Sequence, residues 1–133
     1  MAHTFKKEER LSSKKMIDTL FARTDSINRS FLIYPVKVVF RTEKTEPGHE
    51  AKLPQILISV SKRHFKKAVS RNLIKRRLRE SYRLNKTLIS TPDQLFVAFI
   101  FVAKEILDYQ AIEKSMVNSL KRISHLLKTA QPE

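Results

Sequence analysis

Between His64 and Lys86 the chain reads HFKKAVSRNLIKRRLRESYRLNK, in which nine residues are basic and only Glu80 is acidic. The nine are Lys66, Lys67, Arg71, Lys75, Arg76, Arg77, Arg79, Arg83 and Lys86. Guanidinium groups form paired hydrogen bonds to phosphate and ammonium groups act as point charges, so the chemistry on offer is the binding of a folded polyanion. Ala68, Leu73, Ile74 and Leu78, with no Gly or Pro among them, predict a helix. At 3.6 residues per turn, Ile74, Leu78, Ser81 and Tyr82 fall on one stripe, and Arg71, Lys75, Arg79, Arg83 and Lys86 follow its neighbour. The plain alternative is a solvated charged face, but such faces alternate in sign and this one hardly does.

Catalytic groups are scarce by comparison. The sequence has no Gly-rich phosphate loop, no HExxH and no serine in a nucleophile-elbow setting. Glu80 is read as an intrahelical ion-pair partner of Arg76, Arg83 or Lys75 rather than as a catalytic acid. There is no cysteine, which excludes disulfides and thiolate metal sites, and His3, His49, His64 and His125 are scattered without ligand spacing. No catalytic residue and no metal or cofactor held by the protein are therefore expected. Net charge is +14, from 27 Lys and Arg against 13 Asp and Glu. Self-repulsion on this scale points to an anionic partner, nucleic acid above all. A second candidate surface is aromatic: Phe21, Phe31 and Tyr34 could hold unpaired bases by stacking, although core packing is the ordinary role of the two Phe.

These groups need a scaffold. The 133 residues are long enough for one hydrophobic core and too short for two, so residues 1–133 are expected to form a single domain. The expected order is α, β, β, β, α, β, α. A first helix is predicted over Phe5 to Arg23, capped by Ser12 or Ser13, with Met16, Ile17, Leu20 and Phe21 on its apolar face. FLIYPVKVVFRT, from Phe31 to Thr42, predicts a short strand before Pro35 and a longer one after it. Residues 43–52, which hold the only glycine, are expected to be a mobile hairpin loop. QILISVSK then reads as a strand in which Ile56, Ile58 and Val60 alternate with Leu57, Ser59 and Ser61, and LFVAFIFVA as a strand buried on both faces. The last helix is predicted over Asp108 to Lys128, with Asp108 as N-cap and Ile112, Met116, Leu120, Ile123 and Leu127 as its core stripe, and residues 129–133 as a fraying tail. The N-terminus lacks the apolar core of a signal peptide and the longest apolar run is too short to span a bilayer, so a soluble, cytoplasmic protein is expected.

At SVSKRHFKKAVSRNLIKRRLRESYR, Ser59 to Arg83, the sequence resembles the signature of the bacterial ribonuclease P protein subunit family: a strand ending in Ser-Val-Ser-Lys, a short turn, and an Ala-Val-x-Arg-Asn-Arg-x-Lys-Arg helix. FKKEERL, FLIYPV, LFVAFIFVAK and the terminal helix follow in the family order, covering nearly the whole chain. The resemblance implies an α+β two-layer sandwich like the second domain of ribosomal protein S5, with a left-handed β-α-β crossover around the basic helix where generic rules favour a right-handed one. It also implies a protein that assists a catalytic RNA in removing the 5′ leader of precursor tRNA. The RNA would hold the Mg2+ and perform the hydrolysis, and the protein would be a monomer in a 1:1 complex with it.

Carried over by position, Arg71, Asn72, Lys75, Arg76 and Arg79, with Lys67 and Arg83, resemble the residues that face the RNA. Lys62, Arg63, Lys66 and Lys104 resemble the basic rim near the leader, and Ile17, Phe21, Phe31 and Tyr34 the apolar cleft that takes it. The chain departs from the pattern twice. Leu73 stands where the family has a second Arg, leaving Arg76 and Arg77 to take over that contact, and the turn HFKK lacks the common glycine. Two other readings are a ribosomal protein packed on ribosomal RNA and a basic protein lying on a membrane surface.

Overall fold

A computed structural model describes residues 9–22, 27–44, 53–89, 91 and 93–129. The helices and strands are α1 (Lys14–Leu20), β1 (Arg29–Ile33), β2 (Val36–Glu43), β3 (Gln55–Val60), α2 (Ala68–Asn85), β4 (Gln94–Phe101) and α3 (Tyr109–Thr129), with a 3-10 turn at Lys86–Leu88. The expected order of helices and strands is the observed one.

The four strands form one sheet in the order β1-β2-β4-β3. β1 and β2 are antiparallel and joined by a two-residue turn, Tyr34 and Pro35, whose peptide bond is cis. β2 runs antiparallel to β4, and β3 parallel to it, with Val60 opposite Phe101. The basic helix α2 is thus the crossover between two parallel neighbours. One connection differs from expectation: β2 and β3 do not form a hairpin, because β4 lies between them. An unbroken apolar run from Leu95 to Ala103, with Leu95 to Phe99 all buried, suits β4 to the centre of the sheet. The greater part of the 43–52 stretch, and the tail beyond Thr129, lie outside the described residues.

Strand alternation separates two cores. Val36, Val38 and Phe40 of β2, Leu95, Val97, Phe99 and Phe101 of β4, and Ile56 and Val60 of β3 face α2 and α3. They meet Ile74, Leu78 and Tyr82 of α2 and Ile112, Met116, Leu120 and Ile123 of α3. Removing any one of the buried aliphatic side chains would cost about 2–5 kcal/mol. On the other face Val39, Phe96 and Ala98 pack with Leu11 and Leu20, flanked by Met16, Ile17, Leu57 and Ile100. α2 and α3 form a full layer, whereas α1, only seven residues long, covers part of its face.

The helix starts follow their caps. Ser13 Oγ accepts from Met16 N at 3.3 Å and Asp108 Oδ1 from Ala111 N at 2.9 Å, each satisfying an otherwise orphaned amide. The first helix is shorter than expected. Arg10 bridges to Ile56, and Leu11 N donates to Ile56 O at 2.9 Å, so this segment lies along the free edge of β3. An amide committed to a strand edge cannot join a helix, and Ser13 ends the extended segment. The Phe5 to Glu8 part of that expectation, and Arg23 at its other end, lie outside the described residues.

Candidate nucleic-acid interface

The turn into α2 is built from its own side chains. Phe65 is buried, its ring 5.9 Å from that of Phe101, and Phe65 N donates to Ser61 O. Arg63 N donates to Ser61 Oγ at 3.0 Å. Arg71 reaches back from the first turn of α2 and donates through Nη1 to the carbonyls of Phe65 at 2.8 Å and Lys66 at 2.9 Å. No described residue other than glycine has a positive φ, so the turn needs no glycine. Lys62, Arg63, His64, Lys66 and Lys67 all project into solvent.

Beyond the turn, α2 sorts its cations by the direction they face. Asn72 and Arg76 are exposed, and Lys75 and Arg79 half-buried beside them. Partial burial, then the neighbouring charges of Arg10 and Arg76, push the Arg79 pKa down, so these cations sit close together. Three further cations of this stretch have partners within the protein. Arg83 is held by Glu80, with Nη2 at 2.6 Å and Nε at 3.0 Å from its carboxylate, and this bond lowers the Glu80 pKa. Arg77 donates to Leu107 O at 2.5 Å, tying α2 to the segment before α3. Lys86 turns to Glu9. Arg10 is the member that sequence reasoning missed: it is exposed, sits on the β3 edge, and extends the Arg76 and Arg79 cluster across to that edge. It lies 69 residues from Arg79 in sequence, so no local spacing marks it.

Three of the four residues expected at the rim leave the sheet at one end. Because β3 and β4 run parallel and in register, Lys62 and Arg63 leave the sheet at the same end as Lys104. The β1–β2 turn arrives there too, since Val36 pairs with Phe101 and Val102 N donates to Pro35 O at 2.9 Å. Tyr34, 61% exposed, shares a shallow pocket at this end with Val102, Lys104 and Glu105.

The predicted aromatic cleft does not assemble as expected. Ile17 and Phe21 belong to the α1 face of the sheet, with Phe21 42% exposed above a pocket lined by Asn28, Ser30, Lys37 and Val39. Phe31 pairs with Val38 and therefore points to the opposite face, where its ring stands edge-on to Phe40 at 6.1 Å. The place left to it in the cleft is taken by a row that crosses all four strands: Leu32, Lys37, Ile100 and Ser59. Leu32 is 60% exposed and Lys37 exposed, so this row is an open floor between α1 and the basic rim. The parity of β1 and β2 carried the signal, since residues two apart share a face.

Among the described residues, no three His, Asp or Glu side chains come together to hold a metal ion. The site is an array of cations and apolar groups suited to holding a chain of phosphates and bases.

Comparison with known proteins bears on the family and the fold. A family model described as Ribonuclease P matches residues 5–124. The ribonuclease P protein component of Porphyromonas gingivalis is 37% identical over 123 residues, covering 89% of this chain and 85% of that protein. The component from Streptococcus agalactiae is 36% identical over 117 residues, covering 87% and 94%. Among solved structures, the RNase P protein from Thermotoga maritima superposes with a TM-score of 0.65 at 27% identity, covering 86% of this chain and 96% of that one. Matched along nearly its whole length, the chain belongs to the ribonuclease P protein component family.

Proposed function

We propose that this subunit of ribonuclease P binds the enzyme's RNA through Arg10, Asn72, Lys75, Arg76 and Arg79, and guides the 5′ leader of precursor tRNA over the α1 face of the sheet. The observation that carries the reading is the separation of two surfaces on one small domain. Cations crowd on α2, with no acidic partner for Arg76 or Arg79 among the described residues, while Phe21, Leu32, Lys37 and Ile100 border an open floor that ends at Lys62, Arg63 and Lys104. A basic helix face neutralises a folded RNA, and an open strip with apolar and cationic groups accepts an unpaired strand by stacking and phosphate contact. Hydrolysis and the Mg2+ it uses belong to the RNA in this reading, and the protein lowers the electrostatic cost of bringing two polyanions together. One protein binds one RNA.

The test is reconstitution. Purified protein added to the cognate ribonuclease P RNA at low Mg2+ should restore cleavage of precursor tRNA, and protein alone should cut nothing. Cleavage by the protein unaided, or no effect on any bacterial ribonuclease P RNA, would overturn the reading.

A further inference from the structure

We propose that the outer face of α3, with the adjoining edge of β1, forms a second contact surface for the phosphodiester backbone of the ribonuclease P RNA, separate from that on α2. The inference rests on the RNA-binding reading above and extends it to another part of the molecule. The exposed residues along α3 include Lys114, Asn118, Lys121, Arg122, His125 and Lys128, with no acid among them. Glu113, the one acidic residue of α3, is half-buried on the other side, where its carboxylate takes the Asn85 amide and the Tyr109 hydroxyl. From Lys114 to Lys128 the helix extends about 21 Å at 1.5 Å per residue, enough to follow several phosphates.

Beside this stripe, Ile33, Asn118, Lys121, Arg122 and Leu126 line a shallow groove. Two arginines flank it in fixed positions. The Arg122 guanidinium lies 5.4 Å above the Phe31 ring, and that of Arg29 lies 4.9 Å above Phe40 while donating to Leu126 O at 3.3 Å. Stacking on a ring holds a guanidinium by its flat face and leaves edge N–H groups to donate, so less rotamer freedom is lost when a phosphate arrives. A merely solvated face would mix signs along its length. The partner is the ribonuclease P RNA rather than the leader, because α3 lies in one layer with α2 and on the opposite side of the sheet from the α1 floor.

The chain has no cysteine, so a single Asn118→Cys variant can carry an iron chelate and report nearby RNA by hydroxyl-radical cleavage in the assembled enzyme. Cuts are expected in the ribonuclease P RNA at nucleotides distinct from those reached from an Asn72→Cys probe. Cuts from position 72 with none from position 118 would overturn this proposal alone, and silence from both would overturn the RNA-binding reading with it. Cuts confined to precursor tRNA would overturn the choice of partner. Independently, Lys121→Glu with Arg122→Glu should make the salt dependence of RNA binding shallower by about two units, one per lost phosphate contact, and an unchanged slope would place the stripe off the interface.

Discussion

The carboxylate of Glu9 is shut off from solvent and accepts from Lys86 Nζ at 3.0 Å and 3.2 Å, joining the N-terminal segment to the end of α2 across 77 positions of sequence. The pair fixes the neighbouring Arg10 against the β3 edge, beside the α2 cations. A buried ion pair adds little net stability compared with a well-packed apolar pair, but removing one partner takes a compensating charge away from the other. Lys86→Met should therefore destabilise the protein by about 3–5 kcal/mol in urea unfolding. Adding Glu9→Leu to Lys86→Met should recover most of that loss, whereas additive losses would show that the two residues do not act as a pair.

Arg76 and Arg77 are adjacent and should behave differently. Arg76→Ala should leave stability nearly unchanged, weaken RNA binding and reduce its salt slope by about one unit. Arg77→Ala should keep the slope and cost about 1–3 kcal/mol of stability through the lost bond to Leu107 O. Titrating RNA binding at several salt concentrations, alongside urea unfolding, separates the two.

Phe21 and Phe31 make a second contrasting pair. Phe21→Ala should weaken binding of precursor tRNA more than mature tRNA, because only the precursor carries a leader to lie on the α1 face. Phe31→Ala should lower stability by about 2 kcal/mol, since its half-buried ring packs under Arg122 on the α3 face, and should weaken both RNAs equally or not at all. Tyr34→Ala, at the rim, should follow Phe21 with little effect on folding. Parallel affinities for the two tRNAs decide the matter.

Alkaline pH should loosen the fold through Tyr82. Burial first, and then the negative charge of Glu9, raise its phenol well above the ordinary value. Once the pH passes about 10, an unfolded chain releases the proton that the folded one keeps, so stability falls as pH rises. Urea midpoints between about pH 8 and about pH 11 should fall less steeply for Tyr82→Phe than for the parent chain.

The sequence reached the helices and strands because their signals are local. Apolar repeats at 3.6 and 2 residues, the Ser13 and Asp108 caps, and Pro35 between two β-branched runs are each legible within a window of a few residues. The signature helix and its buried stripe, Ile74, Leu78, Ser81 and Tyr82, are observed as read. Failures came where one residue's role depends on a distant partner. The hairpin expected around residues 43–52 failed because β4, some fifty positions on, takes the place between β2 and β3.

The chain by itself therefore determined that a strongly basic helix is carried on a mixed sheet, and which family it resembles, since charge, periodicity and an ordered signature are properties of the linear sequence. Only the tertiary structure decided which cations are offered outward. Arg71, Arg77, Arg83 and Lys86 look equivalent to Arg76 in sequence, yet they are tied to Phe65 and Lys66, Leu107, Glu80 and Glu9. The same packing sends Phe31 to one face of the sheet and Phe21 to the other. A charge or a ring is fixed by residue type, but its availability depends on which carbonyl, carboxylate or neighbouring strand the fold brings within reach.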